Sequence, residues 1–334
     1  MIPRQYLVRR VGIFFLTIWL SATLIWLIPR LSPGDPIAAM VAGMSGAGGF
    51  VEDSDRIIEG WRARFGLDEP QYIQYIRYLG NLATLDFGYS VANFPTPVST
   101  LISDALPWTI GLLIWAMVLT FLIGNFLGAI MVWTKTPSLI KVLIPLTMVF
   151  TSIPSILAGL FLLYIFAFTL KWLPIQGSYG FNVNPGWDLD FVFSVIEHGT
   201  LPALAIILVS FGYWTLGMRG MMITVQGEDY MQLANAKGLN PFYVLYRYMI
   251  RNAILPQVTA FAIQLGTLVS GQILVEFVFN YRGMGRVIYN AILARDFAVI
   301  QGASFIVIMM TALAVLVIDL IYPLIDPRIS HKGG

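Results

Sequence analysis

The chain has no cysteine and only two histidines, His198 and His331. Disulfides, thiolate catalysis and cysteine-based metal sites are excluded, and metal or general-base chemistry has few imidazoles to draw on. Charge is scarce as well: 11% of the 334 residues are Asp, Glu, Lys or Arg, against about 25% in an average soluble domain. No GxxxxGK[ST] occurs, and the patch at Gly43, Gly46, Gly48 and Gly49 lacks the third glycine of a dinucleotide fingerprint. The chain is therefore not expected to cradle nucleotide phosphates by itself. An intramembrane protease would need paired aspartates or a Ser/His couple. Asp104, at the edge of an apolar run, and Asp319 are the only intraspan aspartate candidates, and neither sits in a recognisable motif.

What is plentiful is apolar sequence, 57% of the chain. It gathers into six runs, at 11–29, 105–134, 142–170, 200–225, 252–279 and 301–325, each suited to the ~20 residues a membrane-spanning helix needs. The 30 glycines and 18 prolines are spread through these regions, which helices in a bundle tolerate better than soluble ones do. Pro107, Pro145, Pro154, Pro202 and Pro256 predict kinks or broken turns. The first run follows Arg4, Arg9 and Arg10, is too long for a signal-peptide core and has no clear cleavage site before Arg30, so it reads as an uncleaved first helix.

This divides the chain into a cytoplasmic N-terminus with the first span (1–30), an extracytoplasmic region (31–97) and a five-helix core (98–334). In the second part Ile57, Ile58, Trp61 and Phe65, then Tyr72, Ile76 and Leu79, suggest short amphipathic helices. They lie on the membrane surface or pack as a small lid. With six spans both termini share a side, and Arg4, Arg9, Arg10, Lys135, Lys141, Arg219, Lys237, Arg247, Arg251, Arg328 and Lys332 collect there. The excess of Lys and Arg makes that side the cytoplasm. Within the spans, Asp104, Glu197 and Glu276 fall near outer ends, Arg219 near an inner end, and Asp319 deepest. Asp319 has either a helix-packing or a transport role, and a charge so placed needs a partner. No chain of carboxylates crosses the bilayer, so ion-coupled transport loses ground and another energy source is required.

The longest cytoplasmic connection is the polar stretch 227–256, GEDYMQLANAKGLNPFYVLYRYMIRNAILP. Glu228 and Asp229 suit a helix start and Gly238 its end. Asn240 and Pro241 then cap and open a second helix to about Arg251. Its expected apolar face is Phe242, Leu245, Tyr246 and Met249. On local grammar alone this is either a connector resting on lipid headgroups or a docking element.

The stretch resembles the cytoplasmic coupling motif, the EAA loop, of permease subunits of bacterial and archaeal ABC importers. More narrowly the chain is similar to the B-type permease of the dipeptide/oligopeptide/nickel import family. The likeness is carried by RQYLVRRVGIFFLTIWLSATLIWLIPRLSPGDP at the start and by FGLDEPQYIQYIRYLGNLATLDFGYS, with its D-x-G-x-S ending Asp86, Gly88 and Ser90. It continues through DYMQLANAKGL and IRNAILP, then VEFVFNYRGMGR with its E-x-x-F-x-x-x-G-x-G pattern, and finally DLIYPLIDPRI. The literal Glu-Ala-Ala is Gln232-Leu233-Ala234 here, and the loop is longer than in the sugar-importer version.

The resemblance implies an all-α integral membrane protein with the six transmembrane helices of the type I ABC importer permease fold. It implies half of a translocation pathway, completed by a second homologous permease as a heterodimer. Two cytoplasmic ATPase subunits would bind ATP and Mg, so this chain would carry no cofactor and no catalytic residue of its own. An extracytoplasmic solute-binding protein would deliver the solute, and the surroundings are lipid bilayer, not nucleic acid. The ATPase contact would fall on Asp229, Tyr230, Ala234, Ala236, Lys237, Gly238, Asn240, Pro241 and Phe242. Arg282, Gly283, Met284, Gly285 and Arg286 would face the binding protein or form only a tight loop. The solute, whether peptide, nickel chelate or oligosaccharide, is left open. The alternative functions are an ATP-independent channel or an ion-coupled secondary transporter.

Overall fold

The computed structural model describes residues 4–31, 69–133, 135–137, 140, 142–266 and 272–325. The expected helix at 57–65, the Gly-rich patch and the chain end after 325 lie outside these residues.

The elements run α1 (Arg4–Leu31), α2 (Gln71–Ala83), α3 (Val98–Val132), α4 (Leu143–Thr151), and α5 (Ser155–Leu162), which widens into a π-helical turn at Leu163–Thr169. Next come α6 (Leu189–Gln226), α7 (Asp229–Ala236) and α8 (Pro241–Val244), which continues through a second π-helical turn, Leu245–Ile250, into α9 (Arg251–Gly266). The chain closes with α10 (Ile273–Val278), α11 (Met284–Leu293) and α12 (Phe297–Ile325). Among the described residues four helices, α1, α3, α6 and α12, are long and apolar enough to cross a membrane, and α4 with α5 makes a fifth candidate bent by 106°. The remaining apolar run, 252–279, is represented by α9, 16 residues long, and α10.

Three boundaries differ from the sequence reading. First, α3 and α6 begin at Val98 and Leu189 and run through Pro107 and Pro202, because polar residues ahead of an apolar run extend a helix beyond the lipid. Second, the run 142–170 is broken at residues 152–154. Pro154 has no N–H to continue the ladder and disfavours helical geometry in the residue before it; it stands at φ −59°, ψ 139° and opens α5 as its cap. Third, the helix begun at Pro241 does not stop near Arg251, where a π-helical turn carries it into α9.

The helix directions fix the bundle. α1 and α12 are antiparallel: Arg10 pairs with Asp319 at 2.9 Å, Tyr6 donates to the Asp319 carbonyl at 2.9 Å, and at the other end Gln301 donates to the Ile25 carbonyl at 3.3 Å. Asp319 thus has its partner and holds two helices together. α3 and α6 run parallel and touch closely at Gly124 and Gly128. A Cβ on Gly124 would stand 2.4 Å from Trp214 Cβ, and one on Gly128 2.4 Å from the Thr215 carbonyl oxygen. Without a side chain there, the two backbones pack at the distance that small-xxx-small pairs allow in membranes. α12 lies beside α3, with Val98, Ile102 and Ala105 packed among Val299, Ala303 and Ile306. The start of α1 and the ends of α3, α6 and α12 therefore share one end of the bundle.

Ahead of the core, α2 packs on α1 and α12 through Tyr78, Leu79 and Leu82, and Thr23 shares a 2.6 Å hydrogen bond with Tyr75. The face expected from Tyr72 and Ile76 points away, with both about two-thirds exposed at 67% and 66%, since Tyr75 and Tyr78 supply the packing instead. The D-x-G-x-S ending is a latch. Asp86 accepts from the Gly88 N–H at 3.0 Å in a turn where Gly88 has φ +71°. Ser90 donates to buried Asp296 at 2.6 Å, and the Ala92 and Val299 N–H groups bond the same carboxylate at 3.0 and 3.3 Å. Asp296→Ala strands these donors and is expected to cost about 1–3 kcal/mol, read as a lower unfolding temperature in lipid nanodiscs. Ser90→Ala leaves the two backbone donors paired and costs less. Equal unfolding temperatures for wild type and Asp296→Ala would reject the latch.

Candidate functional site

At the shared end of the bundle α6 gives way at Gly227 to α7, a helix of eight residues. Its inner side is seated in the protein: Met231 and Ala234, each 3% exposed, join Met218, Met222 and Val225 of α6, Ala129 of α3, and Val244, Leu245, Met249 and Ala253. The seat exists because Met and Ala fall three residues apart on one face. The stop after α7 follows from Gly238, whose φ of +64° only glycine adopts freely. There the Gly238 and Leu239 N–H groups close on the carbonyls of Asn235 and Ala234 at 3.0 and 3.3 Å. Two residues on, the Asn240 side chain accepts from the Phe242 N–H at 2.9 Å and Pro241 fills the first helical position.

This geometry sorts the residues singled out above. Asp229, Tyr230, Ala236, Lys237, Gly238, Asn240, Pro241 and Phe242 are exposed, whereas Ala234 is buried inside the chain. The second helix's expected apolar face is split: Leu245 and Met249 are buried, and Phe242 and Tyr246 point outward. Sequence reasoning missed Leu233, which stands 57% exposed on the outer side of α7. Its signal was a leucine out of phase with Met231 and Ala234. Leu233, Phe242 and Tyr246 are thus exposed along a segment that also carries the exposed cations Lys237, Arg247 and Arg251, while the side beneath is fixed to three helices.

The opposite end carries the second feature. The 282–286 turn closes over Glu276, 1% exposed, whose Oε2 accepts from the Gly285 N–H at 2.6 Å. The neighbouring Met284 N–H donates to Thr109 of α3 at 2.7 Å. Gly283, Met284 and Gly285 are buried, so Arg282 and Arg286 alone of the five face outward. Against this turn lies the 176–185 loop, tied to it by the Gly177 N–H to the Phe279 carbonyl at 2.9 Å and the Arg282 N–H to Ser178 Oγ at 2.8 Å. Between loop and turn opens a cleft of about 490 Å³. Arg282 stacks over the Tyr179 ring at 4.4 Å and donates to its hydroxyl. Burial, and next the Arg282 charge, pull the Arg286 guanidinium below its ordinary pKa.

A bundle of apolar helices with an internally anchored, outwardly exposed short helix at one end is that of a multi-pass membrane protein and fits the type I ABC importer permease fold. Residues 124–331 match the family described as binding-protein-dependent transport system inner membrane component. Over 98% of its length the chain is 32% identical to a probable peptide ABC transporter permease of Sinorhizobium fredii, covering 99% of that protein. It is 31% identical to an oligopeptide transport system permease of Bacillus subtilis and 31% to a glutathione transport system permease of Shigella flexneri, again over 98% of this chain and 99% of each relative. The chain belongs to the binding-protein-dependent transport system inner membrane component family. It is a non-catalytic permease subunit of an ABC importer, and ATP hydrolysis falls to partner ATPase subunits.

Proposed function

We propose that this chain forms half of the pathway by which short peptides cross the cytoplasmic membrane, paired with a second homologous permease as a heterodimer. Both termini and the 227–256 segment lie in the cytoplasm, where the Lys and Arg excess places them. The organisation into 1–30, 31–97 and 98–334 goes with that topology. Peptide as the solute rests on the names of the relatives, two of which are peptide and oligopeptide permeases.

The observation that carries the mechanism is the two-sided α7. Its buried Met231 and Ala234 are joined to the roots of α3 and α6, while its outer side exposes Tyr230 and Leu233 among the polar Asp229, Gln232 and Asn235. A short helix so mounted transmits a push. ATP-driven closure of the two ATPase subunits moves it as a rigid body, and the spans follow from an inward-facing to an outward-facing arrangement. Tyr230, Lys237 and Phe242, with Leu233, make the ATPase contact. Asp229 lies at the helix entrance, where its charge favours the N-terminus. Gly238, Asn240 and Pro241 hold the angle between α7 and α8, Ala236 leaves room for close approach, and Ala234 acts from inside the seat. At the outer end the binding protein settles around the 282–286 turn and the loop bearing Phe181 and Trp187, exposed at 99% and 98%.

The test is uptake of a radiolabelled tripeptide into vesicles holding both permeases and both ATPases, with the binding protein added. Accumulation that needs ATP and the binding protein is expected. Uptake without either would favour a channel, and a binding protein that takes nickel chelates but no peptide would overturn the solute.

A further inference from the structure

The outer cleft has more chemistry than a docking rim requires. Two guanidiniums four residues apart on one turn face it, and no carboxylate is among the described residues that line it. Neither arginine makes an ion pair among the described residues. Their bonds inside the protein are to neutral groups: Arg282 to the Tyr179 hydroxyl, Arg286 to the Asn280 carbonyl at 3.1 Å. Each guanidinium has five N–H donors in a fixed fork, so most of the donors have no charged acceptor. Two like charges on one turn, Arg286 partly buried and Arg282 exposed beside it, favour an anion that binds both.

Size narrows the anion. A single acidic side chain would leave most of about 490 Å³ unfilled, whereas that volume lies within the ~300–1,000 Å³ of small-molecule sites. The remaining walls suit a short peptide. Gln176, Asn184 and Asn280 offer amide donors and acceptors to peptide groups, and Tyr179 gives a ring face to a side chain. The walls are also held in place, because Gly177 and Ser178 are hydrogen-bonded to Phe279 and Arg282.

We infer that the cleft between the 176–185 loop and the 282–286 turn is a receiving site for short peptides, in which Arg282 and Arg286 bind the C-terminal carboxylate. Arginine forks bind carboxylates through paired, charge-assisted hydrogen bonds. The site would hold the peptide after it leaves the binding protein and before the pathway opens. This rests on the peptide-import reading above.

The test uses the assembled transporter in nanodiscs without binding protein. The probe is an alanine tripeptide whose central residue carries a diazirine, with labelled residues mapped by mass spectrometry. Labelling is expected at 176–185 and 280–286. Amidating the probe's C-terminus, or combining Arg282→Gln with Arg286→Gln, is expected to cut it by about tenfold, while acetylating its N-terminus changes it by less than about twofold. The amide comparison needs no variant and stands if the double substitution impairs folding. Equal labelling by free and amidated probe overturns the inference. So does a double variant that labels normally but has lost affinity for the binding protein, since the arginines would then be a docking contact. Uptake in the same preparation, with binding protein added, tests the underlying reading separately. Labelling without peptide uptake leaves the site standing and overturns peptide import; uptake without labelling does the reverse.

Discussion

Leucine in place of Ala234 is expected to lower ATP-driven uptake roughly tenfold or more while membrane insertion stays at the wild-type level. Ala234 is 3% exposed and faces a cluster of Met, Val and Leu side chains at the roots of three helices. Extra methylenes in a packed site cost about 1–3 kcal/mol or force the backbone to shift. The spans are long and mutually packed, whereas α7 is eight residues attached by one face, so α7 is the element that yields. Its outer side moves with it, and the ATPase contact proposed for Leu233 and Lys237 is displaced. Hydrolysis is then uncoupled from uptake. Leu233→Ala gives a useful contrast: that side chain is 57% exposed, so its loss weakens ATPase co-purification without moving α7. Protease protection of 227–256 in the permeases without their ATPase subunits separates the two, changing for Ala234→Leu and not for Leu233→Ala. Unchanged uptake with Ala234→Leu would reject the lever.

The difficulty of reading α7 from the sequence has a physical origin. Periodicity finds an apolar face when only one face is apolar. Here Met231 and Ala234 meet the chain itself while Leu233, Phe242 and Tyr246 remain exposed, and residue type does not distinguish the two environments. The turn between α7 and α8 was legible, because Gly238, Asn240 and Pro241 each act through local backbone chemistry. The apolar runs were legible for a similar reason, since composition over ~20 residues decides them. Contacts distant in sequence were not. Ser90 and Asp296 are 206 positions apart, and nothing local to either announces the bond. Asp319 needed a partner by the cost of its burial, but only the structure shows that it is Arg10. The close approach at Gly124 and Gly128 did have a signal, the G-x-x-x-G spacing inside an apolar run.

The two glycines of the outer turn should respond differently to the same rescue. A Cβ on Gly283 would stand 2.2 to 2.5 Å from three atoms of the Glu276 carboxylate and from nothing else so close. On Gly285 it would stand 2.5 Å from Ile273 Cα and 3.0 Å from the Ile273 carbonyl oxygen, besides 2.9 Å from Glu276 Oε2. Gly283→Ala and Gly285→Ala are both expected to destabilise by about 1–3 kcal/mol or more. Adding Glu276→Ala removes the three nearest neighbours of the first and leaves the backbone neighbours of the second. In a double-mutant cycle on unfolding in nanodiscs, the Gly283 and Glu276 substitutions are thus strongly non-additive, with much of the Gly283→Ala loss recovered. The Gly285 loss persists, because a backbone cannot swing aside as a side chain can. Recovery at Gly285 and none at Gly283 would mean that Glu276 does not lie under the turn. Both substitutions also reach function, since this turn aims Arg282 and Arg286. Gly283→Ala alone is expected to lower labelling of the cleft, and Gly283→Ala with Glu276→Ala to regain part of it.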